Sequence, residues 1–330
     1  MPTDVRVAEG TDWVAPDGAR LPRGVLSAVP HLVIDTDIAT DVDDLASLMM
    51  AHNLAKESEC VILGIGVSSG CQFAPVVADA ANHWHGRSDM PLGVTKDPGY
   101  SACNDWTEDV NDEPALFPRN VSAPPTSVDD AVDLYRQLLR DAADNSITFV
   151  TIGFLTNVSN LLQSEPDSID SRTGMQLVED KVKEFVTMGG RDGTREFNIW
   201  RDLEAADYYM HNCPVQVVWV QWEIGSNIRT GTSHADMPNH ILRFSFERYH
   251  GWDENDGNRS FDQCAMLRAI RGDGHWYSTE RGTMTLDDVE DDVTVWTADE
   301  QGRDLRVERI IGISDMEAII EPLMWMDVEA

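Results

Sequence analysis

Short apolar runs rich in β-branched residues alternate with segments of helical spacing along most of this chain, and that alternation most narrows its fold. His31–Asp35, Val61–Val67, Pro91–Val94, Ile147–Ile152, Lys183–Met188 and Val215–Val220 read as strands. Leu45–Ala55, Pro75–His85, Val128–Ala142 and Leu203–His211 carry apolar residues at helical spacing between them. Further helical patterns lie near Pro238–Arg248, Asp262–Ile270 and Ser314–Met324, and no internal repeat is visible. Strands that alternate with helices predict an α/β fold: an open, mostly parallel sheet covered by helices on both faces. Residues 1–30 read as an N-terminal extension, broken by Pro2, Pro16, Pro22 and Pro30. Residues 31–330 read as a single domain, and Tyr100–Pro125 as a long loop that could form a lid.

Charge narrows the range of partners. The 58 acidic and 25 basic residues leave a formal net charge of −33. Such a surface repels nucleic acid and anionic lipid, so neither is expected as a partner. It also repels itself unless salt screens it, over about 10 Å at 0.1 M and about 3 Å at 1 M. A high-salt cytoplasm is therefore the expected setting. No apolar run is long enough for a membrane span, and Met1–Gly10 lacks the apolar core of a signal peptide. Five cysteines (Cys60, Cys71, Cys103, Cys213, Cys264) show no zinc spacing, and their odd number reads as reduced thiols.

In an open parallel sheet, ligands bind beyond the carboxyl ends of the strands, and the distinctive residues cluster there. Asp35, Asp37, Asp41, Asp43 and Asp44 follow the first strand; Ser68–Cys71 follow the second; Thr156 and Asn157 follow the Ile147 strand; Met188–Gly190 end the next. Five carboxylates within ten residues would raise one another's pKa values unless a cation neutralised them. Oxygen-only ligands suit a hard ion, and flexible coordination suits Ca²⁺ better than Mg²⁺. Helix capping is the plainer use of these residues, Asp41 above all. An EF-hand is excluded, because the loop glycine and terminal glutamate are missing. The Asp-x-Asp start also fits a Mg²⁺-dependent phosphatase with Asp35 as nucleophile. Of the four lysines, however, only Lys181 and Lys183 lie near a suitable strand, and both sit at its start.

The stretch Asp35-Thr-Asp-Ile-Ala-Thr-Asp-Val-Asp-Asp-Leu45 resembles the N-terminal signature of the inosine–uridine nucleoside hydrolases, in a longer form with two extra residues before the Asp-Asp pair. Ile152-Gly-Phe-Leu-Thr-Asn157, Val186-Thr-Met-Gly-Gly190, Glu196-Phe-Asn198 and Ser260-Phe-Asp262 resemble further motifs of that family, in the right order. The resemblance covers about Val33 to Ile270. It implies a Rossmann-like sheet and a Ca²⁺-dependent N-glycosidase that splits ribonucleosides or related N-ribosides into base and sugar, as in nucleoside catabolism and salvage. By resemblance, Asp37, Asp44, the Thr156 carbonyl and Asp262 would ligate Ca²⁺, and Asp37 would also be the catalytic base. Asp43, Met188, Glu196 and Asn198 would bind the sugar. A homo-oligomer, dimer or tetramer, is expected.

Two departures concern the leaving group and the sugar. Phe261 stands where the family often has a histidine that protonates the departing base. Arg191-Asp-Gly-Thr-Arg195 replaces a segment that often holds an asparagine for the sugar 5′-hydroxyl. Cys71 likewise stands where an asparagine is often found. Trp200, Trp106, Tyr100 and His250 could stack on or protonate a base, and Glu223 lies on the correct rim. A non-hydrolytic sugar- or nucleoside-binding protein of the same fold is thus a second reading beside the phosphatase.

Overall fold

The computed structural model describes residues 29–327 except 98, 234–236, 251–256 and 288–292, together with two short strands nearer the N-terminus. Those strands, β1 (Trp13–Val14) and β2 (Arg20–Leu21), pair antiparallel; the rest of the extension expected over residues 1–30 lies, up to residue 28, outside the described residues.

The central element is β3 (His31–Thr36), whose side chains alternate between two cores. Leu32 and Ile34 pack into one cluster and Val33 into the other. This is the period of two expected of a strand covered on both faces. The helix α1 (Asp43–Lys56) follows, then β4 (Val61–Val67), α2 (Ala74–Trp84) and β5 (Leu92–Val94). The predicted loop over Tyr100–Pro125 contains a helix, α3 (Asp105–Asp112), anchored by the fully buried Trp106. β6 (Asp129–Asp130), α4 (Ala131–Asp141), β7 (Ile147–Thr151), α5 (Thr156–Gln163), α6 (Gly174–Lys181) and β8 (Val182–Met188) come next. The chain continues through α7 (Phe197–Trp200), α8 (Leu203–Asn212), β9 (Val217–Val220) and α9 (Trp222–Gly225). β10 (Arg229–Thr230), α10 (Ile241–His250), β11 (Asn258–Arg259) and α11 (Phe261–Arg271) follow. β12 (Tyr277–Leu286), β13 (Thr294–Ala298), β14 (Asp304–Arg309) and α12 (Ile313–Met324) complete it.

Ten strands form one sheet in the order β13-β12-β14-β9-β8-β7-β3-β4-β5-β6. Pairing is parallel from β14 to β6, and β12 is antiparallel to both β13 and β14. The mixed α/β sheet expected from the alternation is therefore present, with an antiparallel edge that the strand-like runs did not announce. From β3 the chain first builds outward through β4 to β6, then returns to place β7 on the other side of β3. The crevice at the carboxyl ends of β3 and β7 is the topological switch point, where such sheets bind ligands.

Two of the five cysteines correct the expectation of reduced thiols: Cys71 and Cys103 are joined by a disulfide. It ties the start of the Tyr100–Pro125 segment to the turn after β4. Gly70 N–H donates to the Tyr100 carbonyl at 2.9 Å, and Asn104 N–H to the Ala39 carbonyl at 3.1 Å. Cys60, Cys213 and Cys264 are free and buried. No helix among the described residues is long and apolar enough to cross a membrane.

Candidate active site

The turn after β3 delivers its carboxylates in two directions. Asp35, still on the strand, points away from the crevice: Tyr135 Oη and Asn157 Nδ2 both donate to its Oδ2. Burial is the main cause that pushes its pKa up to about 7. Asp35 therefore braces β3 against α4 and α5 and is not placed as a nucleophile. Asp37, Asp41, Asp43 and Asp44 instead line a cavity of about 490 Å³ over the switch point. Thr36 Oγ1 donates to Asp44 Oδ1 and accepts from Ile38 N–H, which folds the turn back on itself. Asp43 and Asp44 open α1, where the positive end of the helix dipole favours negative charge.

The far wall of this carboxylate group comes from α11. Asp262, in its first turn, donates its backbone N–H to Asp43 Oδ2 at 3.4 Å and accepts from Ser47 Oγ through its carbonyl at 3.3 Å. These two bonds lock α11 to α1. The result is that carboxylate oxygens of Asp43, Asp44 and Asp262 lie within 4.8 Å of one another, all buried. Burial, then repulsion from neighbouring carboxylates, Asp37 and Asp41 included, drives the pKa values of Asp43, Asp44 and Asp262 well above the ordinary carboxylate range. Asp37 is shifted the same way, by burial and then by Glu196. A set of buried, mutually repelling oxygen donors with no basic side chain among them fits a hard divalent cation.

β7 and β8 supply the opposite wall. Ile152, the residue after β7, and Met188, the last residue of β8, line the cavity. Gly153 is required beside them, since a Cβ there would meet Asp37 N at 2.3 Å and Ser68 Oγ at 2.6 Å. Glu196 is held by three backbone N–H donors, those of Gly190 (3.2 Å), Asn198 (3.1 Å) and Ile199 (3.2 Å). Asn198 Nδ2 donates to the Ile152 carbonyl at 3.2 Å and approaches Met188 Sδ at 3.3 Å, which fixes the amide between the two strand ends. Negative charge and amide dipoles thus surround the cavity floor, the environment that stabilises developing positive charge on a sugar ring.

A sequence model described as inosine-uridine preferring nucleoside hydrolase matches residues 32–308. The chain belongs to this family. Among solved structures, the nucleoside hydrolase of Bacillus anthracis aligns with a TM-score of 0.69 and 15% identity, over 90% of this chain and 99% of that one. A plant nucleoside hydrolase aligns at 0.66 and 19% identity, over 91% and 99%. The type III effector XopQ, in a complex with adenosine diphosphate ribose, aligns at 0.64 and 14% identity, over 90% and 94%. Curated protein sequences give no match. Membership of the nucleoside hydrolase family supports hydrolysis of nucleosides at the N-glycosidic bond and a site for a metal ion.

Most residues named from the family's motifs converge on the cavity. Asp37, Asp43, Asp44, Asp262, Met188, Glu196 and Asn198 all line it. Asp43 joins the three-carboxylate group, although the resemblance gives it to the sugar, and Asp37 lines the cavity outside that group. Thr156 is buried at the start of α5, donates its hydroxyl to Asp202 and is not among the lining residues; Ile152 lines the wall from the same turn. Trp200 lines the cavity, whereas Trp106 is core and Tyr100 packs edge-on against Phe154 and Phe197. Glu223 is exposed and does not line it, and His250 stands behind Tyr249 with ring centroids 4.8 Å apart. Cys71 is committed to its disulfide.

Trp222 and Tyr249 line the cavity without having been picked from the sequence. Trp222 immediately follows Gln221 at the carboxyl end of β9, so the strand-end rule could have found it. Tyr249 comes in from α10 and carries no motif. Its phenol bonds Asp41, and burial pushes its pKa up.

Proposed function

We propose that this protein hydrolyses the N-glycosidic bond of a ribonucleoside or related N-riboside, releasing free base and sugar, with Ca²⁺ as its metal. The observation that carries this reading is the approach of Asp43, Asp44 and Asp262 to within 4.8 Å beside Asp37, opposite Glu196 and Asn198. Ca²⁺, held by Asp37, Asp44 and Asp262 with the Thr156 carbonyl, would neutralise the cluster and acidify the attacking water. Asp37, which lines the cavity beside these carboxylates, would take the proton from that water. Asp43, Glu196 and Asn198 hold sugar hydroxyls and face the positive charge that grows on the ring as the bond to the base lengthens. Met188 packs against the sugar. A ribosyl ligand also agrees with the adenosine diphosphate ribose carried by XopQ.

The net charge of −33 supports a protein that works in concentrated salt, so the assay belongs in high-KCl buffer with calcium. A panel of nucleosides is assayed there for reducing sugar, with wild type beside Asp37→Asn. Sugar release by the wild type and none by a folded Asp37→Asn is expected. A variant that keeps near-wild-type kcat sinks the assignment of the base. The reading as a non-hydrolytic binding protein draws on Phe261, which offers no proton to a leaving base. Tight nucleoside binding without any sugar release would favour it.

A further inference from the structure

One wall of the cavity is aromatic and positively charged. Trp222, Phe261 and Arg191 line it together, and Phe261 immediately precedes Asp262, one of the three grouped carboxylates. The Arg191 guanidinium lies 3.7 Å from the Trp222 ring centre, and that of Arg259 lies 5.9 Å from it. Two cations over one ring are a marked concentration in a chain with 25 basic and 58 acidic residues. Among the described residues no histidine, lysine or cysteine lines the cavity, and its phenol, Tyr249, bonds Asp41.

This wall is fixed through its backbone. Thr294 Oγ1 accepts from Arg191 N–H at 2.8 Å and donates to the Arg191 carbonyl at 2.9 Å. Trp222 N–H donates to the Gly190 carbonyl at 2.9 Å, which ties α9 to the residue before Arg191. Gly225 lets α9 press against α11, since a Cβ there would meet Phe261 Cα at 2.6 Å. The acid beside Arg191 is drawn elsewhere: Asp192 accepts from Gln221 Nε2 at 3.1 Å and from Arg306 Nη1 at 3.2 Å. Stacking engages the face of a guanidinium, whereas its N–H donors lie in the plane of the group.

Resting on the hydrolase reading, we propose that Arg191 stabilises the leaving base as an anion, so that charge takes the place of protonation. As the bond between the anomeric carbon and the base nitrogen breaks, its electron pair goes to the base. The Arg191 N–H groups donate to that growing negative charge, and so bind the transition state more strongly than the substrate. The water oxygen bonds the anomeric carbon and its proton goes to Asp37. Asp37 then releases a proton to solvent, and the freed base takes one up. A guanidinium donates hydrogen bonds without giving up its proton, so the help is electrostatic and not acid catalysis. Bases that leave as anions gain from Arg191; a cationic base that leaves neutral gains nothing from it.

The test follows three substrates: p-nitrophenyl riboside and uridine, whose leaving groups depart as anions, and the N-riboside of nicotinamide, whose base departs neutral. It uses the full chain, Arg191→Met, which keeps an apolar stem against Trp222, and Arg191→Lys, which keeps the charge. The kcat values for p-nitrophenyl riboside and uridine, each relative to that for the nicotinamide riboside, should fall roughly 10- to 100-fold in Arg191→Met, the range of one charge-assisted hydrogen bond. Arg191→Lys should keep more of both ratios. Across phenyl ribosides of graded leaving-group acidity, Arg191→Met should make kcat/KM depend more steeply on that acidity. If Arg191 merely supports Trp222, all substrates slow alike; unchanged ratios overturn the inference and leave the hydrolase reading standing. Binding gives a separate readout: p-nitrophenol titrated with excess protein should ionise at a lower pH beside the wild type than beside Arg191→Met. That difference without any sugar release would sink the hydrolase reading and leave the anion site standing. Equal ionisation beside the two proteins overturns the anion site.

Discussion

Asp262 donates its backbone N–H to the carboxylate of Asp43 at 3.4 Å, across 219 residues of sequence. The bond sets the N-terminus of α11 against that of α1 and so brings two helix dipoles and three carboxylates to one point. Metal removal should therefore be felt in stability as well as in activity. Without metal the folded-state pKa values of Asp43, Asp44 and Asp262 lie above their unfolded value, so the folded state holds protons that the unfolded chain releases. Metal-free stability then falls as pH rises above the unfolded carboxylate value of 3.8 towards neutrality. Calcium should stabilise the fold by about 2.7 kcal/mol at 100 times its Kd, with the rise in melting temperature largest at neutral pH and least in acid. Calorimetry of chelated and calcium-loaded protein checks this, and Asp262→Asn should shrink the calcium effect. An unchanged melting temperature after thorough chelation contradicts the metal site.

The readable parts of the fold were those buried on both faces. In β3, β4 and β7 the apolar runs and their polar ends are visible because both cores demand them. β12 was not readable: Tyr277–Leu286 exposes Ser278, Thr279 and Arg281 and holds few apolar residues, as an edge region can. The helix α6 is short, and its capping box of Thr173 and Gln176 is a weak signal without an apolar run behind it. In the site, motif residues on strand ends were legible one by one. Tyr249 was not, because only the packing of α10 brings it to the cavity. Nor was the Cys71–Cys103 pair, since five cysteines allow many pairings and sequence does not choose among them.

The disulfide makes a prediction of its own. It closes a segment with a sequence separation of 32 residues, which in the chain-entropy view stabilises by about 3–4 kcal/mol. Urea unfolding with and without a phosphine reductant should show a loss of that order, and Cys103→Ser should match the reduced protein. A melt that ignores the reductant counts against the bond.

Away from the site, His52 and His85 stack with ring centroids 4.9 Å apart in the packing between α1 and α2. Burial is the main cause that lowers their pKa values, to about 3 for His52 and about 4 for His85. Both are therefore neutral in the folded state at a pH where the unfolded chain takes up protons. Their contribution is fully present above the unfolded value of 6.5 and is lost as pH falls from there towards 4 and 3. His52→Gln should flatten the decline in melting temperature between pH 6.5 and 4. An identical pH profile in the variant removes His52 from the account.

Phe261 leads to the last prediction. Its ring lies against Trp222 with centroids 6.0 Å apart and an interplanar angle of 32°, and the Arg191 guanidinium caps that Trp222 at 3.7 Å. On the proposed hydrolase reading, the leaving base would meet aromatic faces where a proton donor is often found. General acid catalysis is typically worth about 10²–10⁴-fold, so its absence should be plain in the choice of substrate. His250 and Glu223, the replacement acids suggested by the sequence, do not line the cavity; Tyr249 does, but its phenol is held by Asp41 and shifted away from easy proton release. The wild type should then strongly prefer ribosides whose base leaves without protonation, such as a p-nitrophenyl riboside or an N-riboside of a cationic base, over inosine and uridine. Phe261→His should narrow that preference by speeding the unactivated substrates, with a gain that is lost as pH rises through the histidine pKa. Comparing kcat/KM for activated and unactivated ribosides in the two proteins decides it. Equal rates for both classes in the wild type would mean that another group, with Tyr249 the first to test by Tyr249→Phe, delivers the proton.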